Sequence, residues 1–182
     1  MTQRHANISI FVPHIGCPNR CSFCDQRSIT GSHRAPNSQD VISAVRKAVV
    51  SGKCDPDNTE IAFFGGSFTA INRCYMLRLL KTAKVFVDEG IVKGIRISTR
   101  PDAIDEEILS LLKEYGVTAI ELGAQSLNER VLKMNNRGHT PEDVCRASDL
   151  IKQNGFELGL QMMTGLYGDT DKTATETAEQ IV

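Results

Sequence analysis

An α/β fold built on a parallel sheet is what the sequence predicts, and three observations carry the prediction. Short apolar runs recur along the chain, segments of helical periodicity separate them, and glycine or proline punctuates the joints. The runs are residues 8–12, 61–64, 94–98, 118–122 and 157–162, rich in Ile, Val and Phe as buried strands are. Between them, apolar residues recur three and four apart. Val41, Ile42, Val45 and Val49 form one such set, and Ile104, Ile108, Leu111, Leu112 and Tyr115 another. Gly52, Gly90, Gly116 and Gly155 stand where helical patterns stop, as left-handed caps. Thr140-Pro141 suits a helix start, and Asp105 suits a cap for the segment after it.

Repeated β–α units with short joints imply parallel strands and right-handed crossovers. An open doubly wound sheet and a barrel, whole or partial, both satisfy that pattern. Five strands and four intervening helical regions are expected, followed by a polar helical end, DKTATETAEQIV. A closed eight-stranded barrel needs about 250 residues, and this chain has 182. A partial barrel, or a piece of a longer protein, is therefore expected, organised as one domain over residues 1–182. Such a sheet leaves an edge exposed, which predicts self-association.

The formal net charge is −1 and charged residues make up 24 % of the chain, so no global field favours nucleic acid or an anionic membrane. No apolar run approaches the roughly 20 residues of a membrane span. The N-terminal MTQRHANISIF lacks the long apolar stretch of a secretory signal, so a cytoplasmic location is expected.

Three of the six cysteines, Cys17, Cys21 and Cys24, crowd into eight residues of HIGCPNRCSFCDQRSITG, immediately after the first strand. Crowding of this kind in a chain without a secretory signal reads as metal or cluster ligation. Cys54, Cys74 and Cys145 lie in or beside helical segments and are expected to be small core residues. Gly16 and Pro18 suit a chain that turns tightly. Soft thiolates select zinc or iron–sulfur clusters. A structural zinc site is closed by four ligands, for which His14, His33 or Cys54 is the candidate fourth. A cubane cluster held by three cysteines instead keeps one iron open to a small molecule.

The segment GCPNRCSFC resembles the CxxxCxΦC signature of the radical S-adenosylmethionine superfamily, with aromatic Phe23 before the last cysteine. The resemblance implies a partial TIM-type barrel with five of about six strands present. It implies a four-iron, four-sulfur cluster on Cys17, Cys21 and Cys24. Its unique iron would be chelated by S-adenosylmethionine, which one electron cleaves to methionine and a 5′-deoxyadenosyl radical that abstracts hydrogen from substrate. The electron would come from a donor such as flavodoxin or ferredoxin.

The other strand ends resemble the same superfamily. In FFGGSFT, Gly65 and Gly66 match a Gly-Gly segment that contacts the methionine amino group, with Ser67 where many members carry an acid. In ISTRPD, Ser98 stands where oxygen-independent coproporphyrinogen oxidases carry a ribose-binding glutamate, beside Arg100. In ELGAQS, Gln125 matches a ribose-binding glutamine, and Arg137 matches the arginine that pairs with the methionine carboxylate. In LQMMTGLYGDT, Gln161 stands where an acidic residue is common, followed by Met162. The plain alternatives are a glycine turn, solvated arginines and a core methionine.

ELGAQS, RGHT and GLQMMTGLYGDT look most like the radical domain of the elongator catalytic subunit, which modifies the wobble uridine of transfer RNA. The CxxxC spacing instead suits coproporphyrinogen-oxidase-like enzymes, and no acetyltransferase-like segment is present. Transfer RNA and a porphyrin-like small molecule are thus both expected substrate classes. Arg20, Arg27, His33 and Arg34 cluster near the cysteines, to meet an anion or to offset cluster charge. With 5 % aromatic residues and no Trp, no base-stacking platform is evident. The alternatives are a zinc-stabilised binding module and an inactive cluster-binding domain.

Overall fold

The computed structural model describes residues 5–13, 17, 21–24 and 34–182. Each apolar run becomes a strand, and each helical pattern a helix. The order is β1 (Ala6–Val12), α1 (Ser38–Val50), β2 (Thr59–Gly65), α2 (Arg73–Asp88), β3 (Gly94–Thr99), α3 (Glu106–Glu114), β4 (Val117–Gln125), α4 (Glu129–Met134), α5 (Pro141–Gln153), β5 (Glu157–Met162) and α6 (Asp171–Ile181). Single-turn helices at Phe68–Ala70 and Pro101–Ala103 follow β2 and β3. The expected punctuation is present. Asp105 caps α3 by accepting from Ile108 N at 2.8 Å, and Thr140 caps α5 with Pro141 in its first turn.

All strands are parallel and pair in sequence order, β1-β2-β3-β4-β5. A doubly wound sheet reverses its strand order at a switch point, and this one never does. Five strands in sequential order, with both edges open, make a partial barrel.

The two sheet faces differ in chemistry. Ile8, Ile10 and Val12, Ile61 and Phe63, Ile95 and Ile97, and Ile120 and Leu122 are buried in one core with Val45 of α1, Leu79 and Leu80 of α2, Leu109 and Leu112 of α3, and Ile151 of α5. Phe63 stacks on Phe68 with ring centroids 4.8 Å apart. Each such side chain contributes about 1.5–3 kcal/mol when fully buried, so this face holds the fold together.

The opposite face is largely polar, although it also carries Phe11 and Phe64, whose ring centroids lie 5.6 Å apart. Register places Asn7, Ser9, Glu60, Arg96, Ser98, Glu121, Glu157 and Gln161 on it. Glu60 is fully buried there. It accepts from Arg96 Nε at 2.8 Å and from Thr118 Oγ1 at 2.6 Å. Arg96 also reaches Glu157 at 2.9 Å and Glu121 at 3.4 Å, and Gln161 Nε2 donates to Glu121 at 2.5 Å. Polar groups line this face because it is the inside of the incomplete barrel, where helices do not cover it.

Two of the cysteines expected in the core are not there. Cys74 and Cys145 are exposed, because α2 buries Met76, Leu79, Leu80 and Ala83, and α5 buries Val144, Ala147, Ser148 and Ile151, on other faces. Cys54 is half-buried, and its thiol donates to Ile91 O at 3.2 Å. Both residues precede strands, at the sheet edge opposite the cysteine loop, so Cys54 is no fourth ligand for that loop. His14 and His33 lie outside the described residues.

Candidate active site

In parallel β–α units, functional side chains gather where the C-terminal strand ends meet the following loops. One pocket opens at that edge. Cys17, Cys21, Phe23 and Cys24 line it from the loop after β1, and Gly65, Gly66 and Ser67 from the end of β2. Ser98, Thr99 and Arg100 line it from β3, Gly123 and Gln125 from β4, and Arg137 and Gln161 complete it. Met162, the remaining candidate, is half-buried at the end of β5 and does not line the pocket. Thr99 and Gly123 are wall residues that no motif singled out.

Backbone geometry explains the glycines. Gly65 has φ +113°, and a Cβ there would lie 2.8 Å from Val12 O and 2.5 Å from the Phe11 ring. At Gly123 a Cβ would lie 2.9 Å from Gln125 Nε2 and 3.2 Å from Arg137 Nη2, so a side chain there would push both groups back. Pairing of β4 with β5 shifts between Gly123 and Gln125, and Gln125 adopts φ +68°. A left-handed non-glycine residue costs roughly 1–2 kcal/mol, and such strain gathers at functional sites.

The two arginines are buried rather than solvated. Arg137 is 7 % exposed; it donates to Gly123 O and, through Nη1, to Cys21 Sγ at 3.4 Å. Arg100 is 4 % exposed and forks onto Asp102, with Nε–Oδ1 and Nη2–Oδ2 both 2.9 Å. Its Nη2 also donates to Arg137 O at 2.7 Å, which pins the segment carrying Arg137 to the end of β3. Burial opposes the Arg100 charge, but Asp102 and the nearby Cys21 and Cys17 outweigh it and raise its pKa. Ser67 is committed to the scaffold: its hydroxyl lies 2.9 Å from Thr99 Oγ1 and accepts from Arg100 N at 3.3 Å. Arg34 forks onto Asp40 at 2.6 and 2.7 Å at the start of α1. Arg20, Arg27 and His33 lie outside the described residues.

His139, quoted only within RGHT, is 4 % exposed. Its Nε2 faces Ala124 O at 3.1 Å, so the neutral ring donates from Nε2. Nδ1 is buried without a partner among the described residues. Burial, then the adjacent Arg137 charge, push its pKa down to about 4. Between pH 6.5 and 4 the unfolded chain binds this proton and the folded chain does not. Stability is therefore lost as pH drops from 6.5 to 4, by up to about 3 kcal/mol. His139→Gln, which keeps a donor for Ala124 O, is expected to flatten the difference between urea midpoints at pH 7 and pH 5. An unchanged difference would show that other groups set it.

The donor set fits an iron–sulfur cluster with an adjoining ligand: three half-buried thiols share a pocket with two buried guanidinium groups that offset negative charge. Among the described residues no three His, Cys, Asp or Glu side chains are gathered around a single ion-sized site.

A sequential parallel β–α sheet with a three-cysteine loop at its C-terminal edge defines the core of a radical S-adenosylmethionine protein. The chain belongs to that family: the model of the Radical SAM superfamily matches residues 11–181. It is an enzyme of this type, and its cofactors are those of the superfamily, S-adenosylmethionine and a 4Fe–4S cluster. A tRNA uridine(34) acetyltransferase of Dehalococcoides mccartyi (strain CBDB1) is 24 % identical over 194 residues, covering 90 % of this chain and 42 % of that protein. Elongator complex protein 3 of Homo sapiens is 35 % identical over 127 residues, covering 60 % and 23 % respectively. The chain thus spans less than half the length of these relatives. Among solved structures, the Elp3 of the archaeon Methanocaldococcus infernus superposes with TM-score 0.73 at 20 % identity, over 98 % of this chain and 43 % of that one. Coproporphyrinogen III oxidase (HemN) of Escherichia coli superposes with TM-score 0.64 at 19 % identity, over 98 % and 42 %. At such identities the superpositions show the fold.

Proposed function

We propose that this chain binds the cluster through Cys17, Cys21 and Cys24 and cleaves S-adenosylmethionine reductively beside it. The observation that carries the reading is the single pocket shared by the cysteine loop and the ends of β2, β3 and β4. When bound, the cluster and S-adenosylmethionine supply a 5′-deoxyadenosyl radical that abstracts hydrogen from substrate. The chain's own residues bind and orient. Gly65 and Gly66 present bare backbone to the methionine amino group. Arg137 offers its guanidinium to the methionine carboxylate, a fork that Lys does not reproduce. Ser98, Gln125 and Gln161 supply hydrogen bonds to the ribose side, with Phe23, Ser67 and Arg100 around them and Met162 behind the pocket wall at the end of β5.

Transfer RNA is the substrate class this reading favours, because the relatives named above include a tRNA uridine(34) acetyltransferase matched across 90 % of this chain. A flavodoxin- or ferredoxin-like protein delivers the electron. The described residues contain no helix long and apolar enough to cross a membrane, and the reading places the protein in the cytoplasm. Residues 1–182 act as one core domain, and an exposed sheet edge is its surface for self-association.

The test is anaerobic reconstitution with iron and sulfide, then dithionite and S-adenosylmethionine, with chromatography for 5′-deoxyadenosine. Formation of 5′-deoxyadenosine is expected, and faster formation with unmodified transfer RNA than with coproporphyrinogen supports the substrate class. A cluster-loaded protein that yields none defeats the proposal.

A further inference from the structure

α4 ends at Asn135, a residue that no motif marks and that is 1 % exposed. An asparagine buried so fully must find partners for two donors and an acceptor inside the protein. Asn135 Nδ2 donates to Val131 O at 2.8 Å and to Tyr167 O at 2.9 Å. Its Oδ1 accepts from Ser22 Oγ at 2.7 Å and from Tyr167 N at 3.3 Å. Its backbone carbonyl accepts from Ser22 N at 3.2 Å. Ser22 stands between Cys21 and Cys24, in the turn closed by Cys24 N to Cys21 O at 3.1 Å. One buried residue therefore ties together the end of α4, the cysteine loop and the turn after β5. Two residues on, Arg137 extends to Cys21 from the same segment.

We infer that Asn135 is a positioning residue for the cluster: it holds the Ser22 peptide, and with it Cys21 and Cys24, at a set orientation to Arg137 and to the Tyr167 turn. The inference rests on the reading of the three cysteines as cluster ligands. Asn135 touches no sulfur itself and acts through Ser22. Ser22→Ala removes only the hydroxyl bond and leaves the backbone bond in place. Asn135→Ala removes every side-chain bond of the hub.

The test is a double-mutant cycle on the reconstituted chain, comparing wild type, Ser22→Ala, Asn135→Ala and the double variant. Iron release to bathophenanthroline disulfonate is timed, and Ser22 amide exchange is measured in the iron-free proteins. Iron release is expected to speed up about threefold in Ser22→Ala and about tenfold in Asn135→Ala, each reflecting lost hydrogen bonds. The double variant should release iron no faster than Asn135→Ala, because both substitutions act on one contact. Ser22 amide exchange should quicken in Asn135→Ala. Independent, multiplicative effects would overturn the inference, as would an Asn135→Ala protein that is less stable to urea yet releases iron at the wild-type rate. If Asn135→Ala fails to fold, Ser22→Ala decides alone: a wild-type release rate overturns the inference. A wild-type protein that takes up no cluster defeats the ligand reading instead. Exchange at Ser22, which needs no iron, then still decides whether Asn135 holds the loop.

Discussion

Cys21→Ala protein is expected to fold normally, to take up no stable cluster, and to lose 5′-deoxyadenosine formation to background. The fold should survive because the core lies on the helix-covered face of the sheet, among residues such as Ile61, Phe63, Leu79 and Ile120. Cys21 sits in a loop at the other end of β1, half-buried, with its sulfur 3.4 Å from Arg137 Nη1. Removing the sulfur leaves two cysteines, too few to hold a cubane with one open iron, while Arg137 keeps its bond to Gly123 O. Cys17→Ala and Cys24→Ala should behave alike. The exposed Cys74 and Cys145 supply controls, since Cys74→Ser and Cys145→Ser should leave iron content unchanged. Iron and labile sulfide per chain, read beside far-ultraviolet circular dichroism, check the prediction. A Cys21→Ala protein that still holds four irons and forms 5′-deoxyadenosine would disprove the three-cysteine site.

Arg96→Met should cost more stability than any single change at the pocket. Arg96 is the shared partner of Glu60, Glu121 and Glu157 on the inner face, and Glu60 is fully buried. Without Arg96, Glu60 keeps Thr118 and stands 3.6 Å from the half-exposed His5. Breaking a buried pair by removing one partner costs roughly 3–5 kcal/mol, because the remaining charge is uncompensated. For a chain of this size that is a fall in Tm of roughly 6–20 °C. Adding Glu60→Gln to Arg96→Met should recover part of the loss, since the two side chains form one unit. Urea unfolding of the four proteins of that cycle measures the coupling. A loss below about 1 kcal/mol for Arg96→Met would mean that Glu60 does not rely on the guanidinium.

Local pattern made most of the fold legible. Apolar runs bounded by glycine became strands, caps such as Asp105 and Thr140 behaved as their side-chain chemistry requires, and Gly52, Gly90, Gly116 and Gly155 took left-handed φ between +67° and +81°. The cysteine loop was legible for the same reason, since CxxxCxxC is a short-range spacing. The pocket residues after β2, β3 and β4 were read by likeness to a family, not from spacing.

Sequence alone determined the parallel β–α order and the soft three-cysteine loop, because both follow from neighbours along the chain. Tertiary structure decided what depends on register and on which face a residue takes. Strand register made the inner face polar and gathered Glu60, Arg96, Glu121 and Glu157 on it. Helix rotation turned Cys74 and Cys145 to solvent although free cysteine buries readily. The meeting of distant segments buried Arg100, Arg137 and His139, and set Asn135 against Ser22, 113 residues away in sequence. A hydrogen bond across that separation leaves no periodicity or spacing to read. It forms only once the strands have brought the loops to one edge of the sheet.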